Sequence, residues 1–294
     1  MADTQSSQNG NARIASSVLK VAPDEQTSIA ILNFANKTGN ANLDWLERGL
    51  ADMLVAKLSQ SVYFNLVPFN RVGEKLHQLG KTTKDLGDPE VEKKLSETVE
   101  NILSGSLSMT GAGIHLEAVL KNLKSGQVIK RESVQGPDLE SILVMVDELS
   151  ERLRINLYGD LVAAREERFR LTEMTKSVEA FQCYSKALEY IDKFLYEDAD
   201  SCLSTAILLD STFASAYLHL AEIQYRHGKK EMVAANLKKA RQFAKKLSQP
   251  DLITLRMFEA ELDGDIERII VALEDFMKLE PADIDARLKM ANHL

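Results

Sequence analysis

The chain has 294 residues, a net charge of −8 and an apolar fraction of 45%. That length suffices for about two domains, and the acidic balance excludes a general nucleic-acid binder, which needs a basic face to displace counterions. Two cysteines, Cys183 and Cys202, make no disulfide framework and fit a reducing compartment, and no apolar stretch approaches the length of a membrane span.

Residues 1–26 are rich in Ser, Asn, Gln and Asp and lack the apolar centre of a signal peptide. They read as a disordered tail or linker. Thr27 to Phe34 reads as a strand buried on both faces, because its apolar run is nearly continuous. The loop "NFANKTGN" follows, and then a helix from Leu43 to Gln60. In that helix Leu46, Leu50, Met53, Leu54 and Leu58 recur at three- and four-residue steps. A strand, a polar Gly loop and a helix raise the question of phosphate binding. This loop has one glycine, not the spaced glycines of a dinucleotide turn. It is expected to turn the chain and to order the helix through its Asn and Thr side chains. Trp45 is expected to anchor that helix on the sheet.

Tyr63 to Val67 reads as a second strand, and Asn70 to Leu79 as a short helix with Asn70 as its N-cap. The Gly-Lys-Thr of "LGKTTK" invites comparison with a phosphate loop. However, Lys75 stands where the earlier glycine belongs, and the preceding segment is a polar helix. Gly80 reads instead as a helix C-cap. Pro89 opens a helix ending near Thr98. Asn101 to Met109, Ile114 to Leu123 and Val128 to Val134 are strands joined by the Gly turns "TGAG" and "KSGQ", hence antiparallel neighbours. Pro137 and Asp138 start a closing helix to about Leu157. The expectation for 27–157 is an α/β domain with a mixed sheet: two parallel, helix-connected strands and then an antiparallel meander.

A charged linker helix, "AAREERFR", falls within 158–177. From Val178 the pattern is entirely helical and repeats. Ala187 and Ala221, Leu203 and Leu237, and Ala206 and Ala240 are each 34 residues apart. That period of paired helices is the tetratricopeptide signature, an all-α solenoid. The second unit carries Tyr217, Leu220, Ala221, Gly228, Leu237 and Ala240. The first matches with Cys183, Ala187, Leu203 and Ala206, but Lys186 and Phe194 fit poorly. The third, with Met257, Ile269, Leu273 and Phe276, is two residues further along than the period requires. "IDARLKMA" (284–291) resembles "ASAYLHLA" (214–221), the first helix of a unit. Residues 178–294 therefore read as about three repeats plus a terminal helix. That helix is either a cap or the start of a longer array, and inward-facing Met290 favours the latter.

No catalytic constellation emerges. His77, His115, His219, His227 and His293 are scattered and read as surface residues, with no metal-ligand spacing among them. Cys183 and Cys202 read as small packing residues on facing helices. No Gly-x-Ser-x-Gly elbow is present. No catalytic residue, metal or cofactor is expected. Binding has two candidates. Lys229, Lys230, Lys238, Lys239, Arg241, Lys245 and Lys246 reverse the sign of an acidic chain locally and suit an acidic partner segment, although a solvated helix face accounts for them too. Tyr184, Tyr190, Tyr217 and Tyr225 suit a peptide groove on a helical array, while Tyr190 and Tyr217 fall on packing positions.

"SIAILNFANKTGNANLDWLERGLADMLVAKLSQ" resembles the opening of the TolB amino-terminal-like domain. The resemblance rests on Ile31, Phe34, Asn36, Thr38, Gly39, Trp45, Leu46, Gly49 and Leu50. "ILSGSLSMTGAGIHLEAVLKNLKSGQVI" is similar to that family's strand and hairpin segment through Gly105, Ser106, Gly126 and Val128. The resemblance spans about 27–157. It implies a place ahead of tetratricopeptide arrays in the regulatory regions of bacterial kinases, cyclases and transcriptional regulators. Related domains occur in envelope and flagellar-assembly lipoproteins. The family supplies no catalytic residues to carry over. The expectation is a non-catalytic, cytoplasmic interaction and regulatory module binding a protein segment, with any catalytic domain outside this chain. The alternatives are a small-molecule sensor, an envelope-associated assembly protein, and the extracytoplasmic part of a membrane-anchored signalling protein.

Overall fold

The structure, a computed structural model, describes residues 28–59, 64–111, 113–158 and 170–279. The expected tail (1–26), most of the linker helix and the terminal "IDARLKMA" lie outside the described residues.

The apolar run at the start forms β1 (Ser28–Ile31), with Ala30 facing one layer and Ile29 and Ile31 the other. The sheet has six strands in the order β3-β1-β4-β5-β6, where β3 is Asn65–Leu66, β4 Asn101–Thr110, β5 Gly113–Asn122 and β6 Val128–Gly136. The short β2 (Ala35–Asn36), absent from the sequence reading, runs parallel to β4. β1 pairs in parallel with both β3 and β4, while β4, β5 and β6 form the expected antiparallel meander. Parallel pairing requires crossovers. α1 (Trp45–Leu58) makes the first. α2 (Phe69–Gln78) and α3 (Pro89–Leu95) make the second, from β3 to β4.

The two crossovers cover opposite faces. α1 and the closing helix α4 (Ile142–Tyr158) bury Phe34, Leu103, Leu116 and Leu120. α2 and α3 cover Ala30, Leu32, Ile102 and Leu123. Two details correct the sequence reading. Asn70 lies inside α2, whose cap is Pro68 with no side-chain hydrogen bond. Trp45 is half-buried and lies along its own helix, where its ring would be 2.8 Å from a Cβ placed on Gly49. Leu46, Leu50, Met53, Leu54 and Leu58 hold α1 on the sheet instead, each side chain worth about 1.5–3 kcal/mol when fully buried.

Beyond the sheet, α5 (Leu171–Met174) leads into three helix pairs. They are α6 (Val178–Asp192) with α7 (Tyr196–Leu209), α8 (Ala214–Arg226) with α9 (Lys230–Gln242), and α10 (Gln249–Asp263) with α11 (Ile266–Leu279). Each helix packs on the next, and α8 also meets α10. The core beneath α1 and α4 continues without a break through Phe181, Tyr184, Leu203 and Phe213. A second core around Leu218, Leu237, Leu255 and Leu273 serves the later pairs.

The joint between sheet and helices is polar at its rim. The Ser185 hydroxyl on α6 donates to Asp52 Oδ2 on α1 at 2.5 Å. Arg48 Nη2 donates to Asp192 Oδ2 at 2.7 Å. Nearby, Lys57 Nζ sits 3.0 Å from Asp147 Oδ1, which also accepts from the Leu171 amide at 2.9 Å. Burial pushes the Asp52 carboxyl up to about 6, against the opposing pull of Arg48 and the Ser185 hydroxyl.

Two predictions follow from this packing. Gly105 in β4 lies under the Phe34 ring, and a Cβ there would stand 2.1 Å from Phe34 and 2.2 Å from the Glu117 carbonyl oxygen. Gly105→Ala should therefore cost about 3 kcal/mol in denaturant unfolding, and a loss below about 1 kcal/mol would contradict this packing. For Asp52, a raised carboxyl makes the folded state bind more protons than the unfolded state between its ordinary 3.8 and about 6. Its contribution must lower stability as pH rises through that window and stay constant above it. Asp52→Asn should flatten the stability profile there, and an unchanged profile would contradict the assignment.

Candidate functional site

The "ANKTGN" loop satisfies its own polar groups. Asn36 Oδ1 accepts from the Thr38 hydroxyl at 2.6 Å and the Thr38 amide at 3.0 Å. Asn36 Nδ2 donates to Asp44 Oδ1 at 2.6 Å, and Thr38 Oγ1 accepts from the Asn40 amide at 3.1 Å. Gly39, at φ 76°, makes the turn. These hydrogen bonds hold the entry to α1, as the Asn and Thr side chains predicted. Gly80, just past the C-cap Leu79 of α2, takes the left-handed conformation that ends the helix, at φ 66°. Cys183 and Cys202 are free and half-buried, and burial raises both thiols.

Two side-chain readings change. His219 is not a surface residue. Its ring packs 5.6 Å from that of Tyr184, and its Nδ1 lies 3.5 Å from Glu222 Oε2. Burial alone would raise the Glu222 carboxyl, but hydrogen bonding and charge from His219 and Arg226 outweigh it and hold the group at about 2. Tyr184 is buried against Phe181 and Phe213 and belongs to the core, as does Tyr217. Only Tyr225 of the four tyrosines is largely exposed.

The seven cations divide. Lys229 is the N-cap of α9 and Lys230 its first residue. Lys238, Lys239 and Arg241 lie toward the other end of α9, about 12–18 Å away along the helix axis. Lys245 and Lys246 follow in a short 3₁₀ turn. Arg241 forms a two-pronged pair with Glu259 on α10. Lys246 Nζ donates to Thr212 Oγ1 at 2.5 Å and lines a cleft of about 390 Å³ with Lys176 and Asp210. Among the described residues, Lys229, Lys230, Lys238, Lys239 and Lys245 make no ion pair.

The turns between paired helices show why Phe194 fits the repeat poorly. Each ends its first helix with the same bond: Leu195 N to Tyr190 O at 2.8 Å, Lys229 N to Gln224 O at 2.9 Å and Asp265 N to Ala260 O at 2.9 Å. This cap needs a left-handed residue, normally glycine. Gly228 and Gly264 provide it at φ 70° and 69°, but the first turn uses Phe194 at φ 60° with its ring 76% exposed. A left-handed non-glycine residue costs about 1–2 kcal/mol. Beside it, Tyr196 stacks edge-on with Phe194 at 6.4 Å and with His227 at 6.1 Å, and the Arg226 guanidinium lies 5.7 Å over the Tyr196 ring.

The second unfavourable choice is adjacent. A helix amino terminus carries partial positive charge and prefers Ser, Thr, Asp or Asn as its cap. α9 instead begins with two lysines and has no side-chain cap bond. Neighbouring turns thus carry an exposed ring in a strained conformation and two unpaired ammonium groups, neither of which helps the fold locally. The signal was present in the sequence, since Phe194 stands 34 residues before Gly228.

No protein-family model matches this sequence, and no curated protein matches it. Among solved structures, the chain is similar to lipoprotein GNA1162 from Neisseria meningitidis, with 21% identity, 38% of this chain and 81% of that one covered, and a TM-score of 0.32. It is similar to the LpoB C-terminal domain from Escherichia coli, with 18% identity, 38% and 84% covered and a TM-score of 0.30. It is also similar to TolB from Acinetobacter baumannii, with 16% identity, 47% and 29% covered and a TM-score of 0.31. At these scores the likenesses are distant.

The geometry of the turns sets the same sign for two stability measurements. Lys229→Asp should raise stability by about 1 kcal/mol by supplying a cap acceptor and a favourable charge. Phe194→Gly should raise it by about 0.5 kcal/mol, the relieved backbone strain outweighing the entropy gained by the unfolded chain. Losses in thermal unfolding for both variants would show that these residues serve the fold.

Proposed function

We propose that this chain is a non-catalytic protein-interaction module whose paired helices form a tetratricopeptide array. It captures an acidic partner segment bearing an apolar anchor, at the edge formed by Phe194, Tyr196, Lys229 and Lys230. The module serves in the cytoplasm as a regulatory part of a bacterial signalling protein. Any catalytic domain belongs to another part of that system.

The carrying observation is that Phe194 and Lys229, on neighbouring turns, are both poor choices for local stability. Residues retained against local preference are expected where a surface meets something else. An exposed aromatic beside cations suits a partner with one buried anchor and surrounding acidic groups. The regular recurrence of the left-handed turn and the contact of α8 with both α9 and α10 support the array reading. Lys238, Lys239 and Lys245 extend the positive field toward the far end of α9 and would steer the same segment.

The test uses a fluorescent peptide with a Glu-rich run around a Leu-Leu pair, and a control with Gln in place of Glu. Lys229→Glu combined with Lys230→Glu should weaken binding at least about tenfold, as should Phe194→Gly, with both variants folded. Reversing Lys238, Lys239 and Lys245 should weaken it less, through slower association that salt reproduces. Equal binding of the Glu and Gln peptides, or unchanged affinity in the first two variants, would contradict the proposal.

A further inference from the structure

A cleft of about 380 Å³ opens on the α2/α3 face of the sheet, far in sequence from the helix pairs, where β1 gives way to Leu32 and Asn33. This is the crevice outside the carboxyl end of a parallel strand, where open α/β sheets commonly seat ligands. Its floor is Ile102 and Ser104 of β4 with Lys121 of β5, the cross-strand partner of Ile102. Phe69, the first residue of α2, forms one wall. Thr83, Lys84 and Leu86, from the turn after α2, form another.

Three features of this cleft favour an anion. Lys121 Nζ is held by both oxygens of buried Glu92, at 2.6 and 2.7 Å, which fixes the ammonium and leaves its third proton free. Lys84 is exposed and makes no ion pair among the described residues. α2 presents an amino terminus capped by Pro68, with no acidic residue in its first turn, where Asn70 Oδ1 accepts from the Arg71 amide at 2.8 Å. No carboxylate in that turn balances its partial positive charge, whereas α3 is capped by the Asp88 carboxylate. The apolar part of the lining is Leu32, Phe69, Leu86 and Ile102, and Asn33, Thr83, Ser104 and the Glu92 carboxylate also line the cleft. Phe69 is 40% exposed.

We propose that this cleft binds a small organic carboxylate with an apolar body. The carboxylate faces Lys84, Lys121 and the start of α2, and the body lies on Leu32, Phe69 and Ile102. Its volume is at the small end for ligand sites, so the ligand is about the size of a single ring or branched chain. Glu92, which also lines the cleft, holds Lys121 in place through both carboxylate oxygens. The proposal is independent of partner capture by the helix pairs.

The test is an amide-shift titration of the full chain by NMR with benzoate and with isovalerate. Benzamide serves as the neutral isostere and inorganic phosphate as the anion without an apolar body. At least one carboxylate should saturate shifts at Phe69, Lys84, Ile102 and Ser104. Benzamide should bind at least about tenfold more weakly. Lys84→Glu, at an exposed position, should weaken carboxylate binding about fivefold or more without moving the thermal midpoint. Glu92→Gln combined with Lys121→Met removes the ion pair without leaving a buried charge, and should abolish saturation while the remaining amide spectrum is retained. The proposal is overturned if neither carboxylate saturates, if benzamide matches benzoate, if phosphate alone saturates the same shifts, or if both charge variants bind as the parent does.

Discussion

α1 is buried on two sides. One side packs Leu46, Leu50, Met53, Leu54 and Leu58 against the sheet. The other meets α6 through Gly49, Arg48 and Asp52. A helix can serve two layers only where its backbone is bare enough for close approach, and Gly49 provides that at about 1 kcal/mol of helix propensity. The ring of Trp45 lies across the gap left by the missing side chain. Everything beyond α1 takes its position from this joint, because the sheet core runs on into the first helix pair.

The joint gives the polar groups around it their properties. Asp52 is drawn out of water by α6, and a carboxylate so placed favours its protonated form even with Arg48 beside it. The Ser185 hydroxyl, Arg48 and Asp192 complete the rim. Further along, His219, Glu222 and Arg226 form a polar row on α8 that ends where Arg226 meets Tyr196. The buried interior thus connects physically to the exposed edge of the turns. A segment bound at that edge would rest on a support whose side chains are already fixed, which limits the entropy lost on binding.

Much of this architecture is legible in the sequence. The alternation in β5 and the Gly turns around it define the meander. Asn36, Thr38 and Asn40 announce a loop that satisfies itself. The 34-residue spacing gives the helix pairs and the position of their turns. What could not be read depends on contacts distant in the chain. β2 and β3 are two residues each and exist because β4 and β1 present free edges. Trp45 carries the same apolar signal whether it lies on the sheet or along its own helix. Asn70 is a good cap residue in isolation, but the helix is capped two residues earlier, at Pro68, which draws Asn70 inside. His219 looks like a surface residue because nothing local reveals that Tyr184 lies over it. Seven cations in one stretch look like one patch until the length of α9 separates them and Glu259 and Thr212 each engage one. Phe194 and Lys229 differ from these cases, since their conflict with local rules is visible once the turns are aligned.

Native-state hydrogen exchange on the full chain tests most directly whether α1 binds sheet and helices into one unit. If it does, slowly exchanging amides of α6 and of β4 open with the same free energy and the same denaturant dependence, because neither can unfold while α1 stays packed. If the α6 amides open at a free energy several kcal/mol below those of β4, with a smaller denaturant dependence, the helix pairs are a separate unit and α1 does not couple them to the sheet.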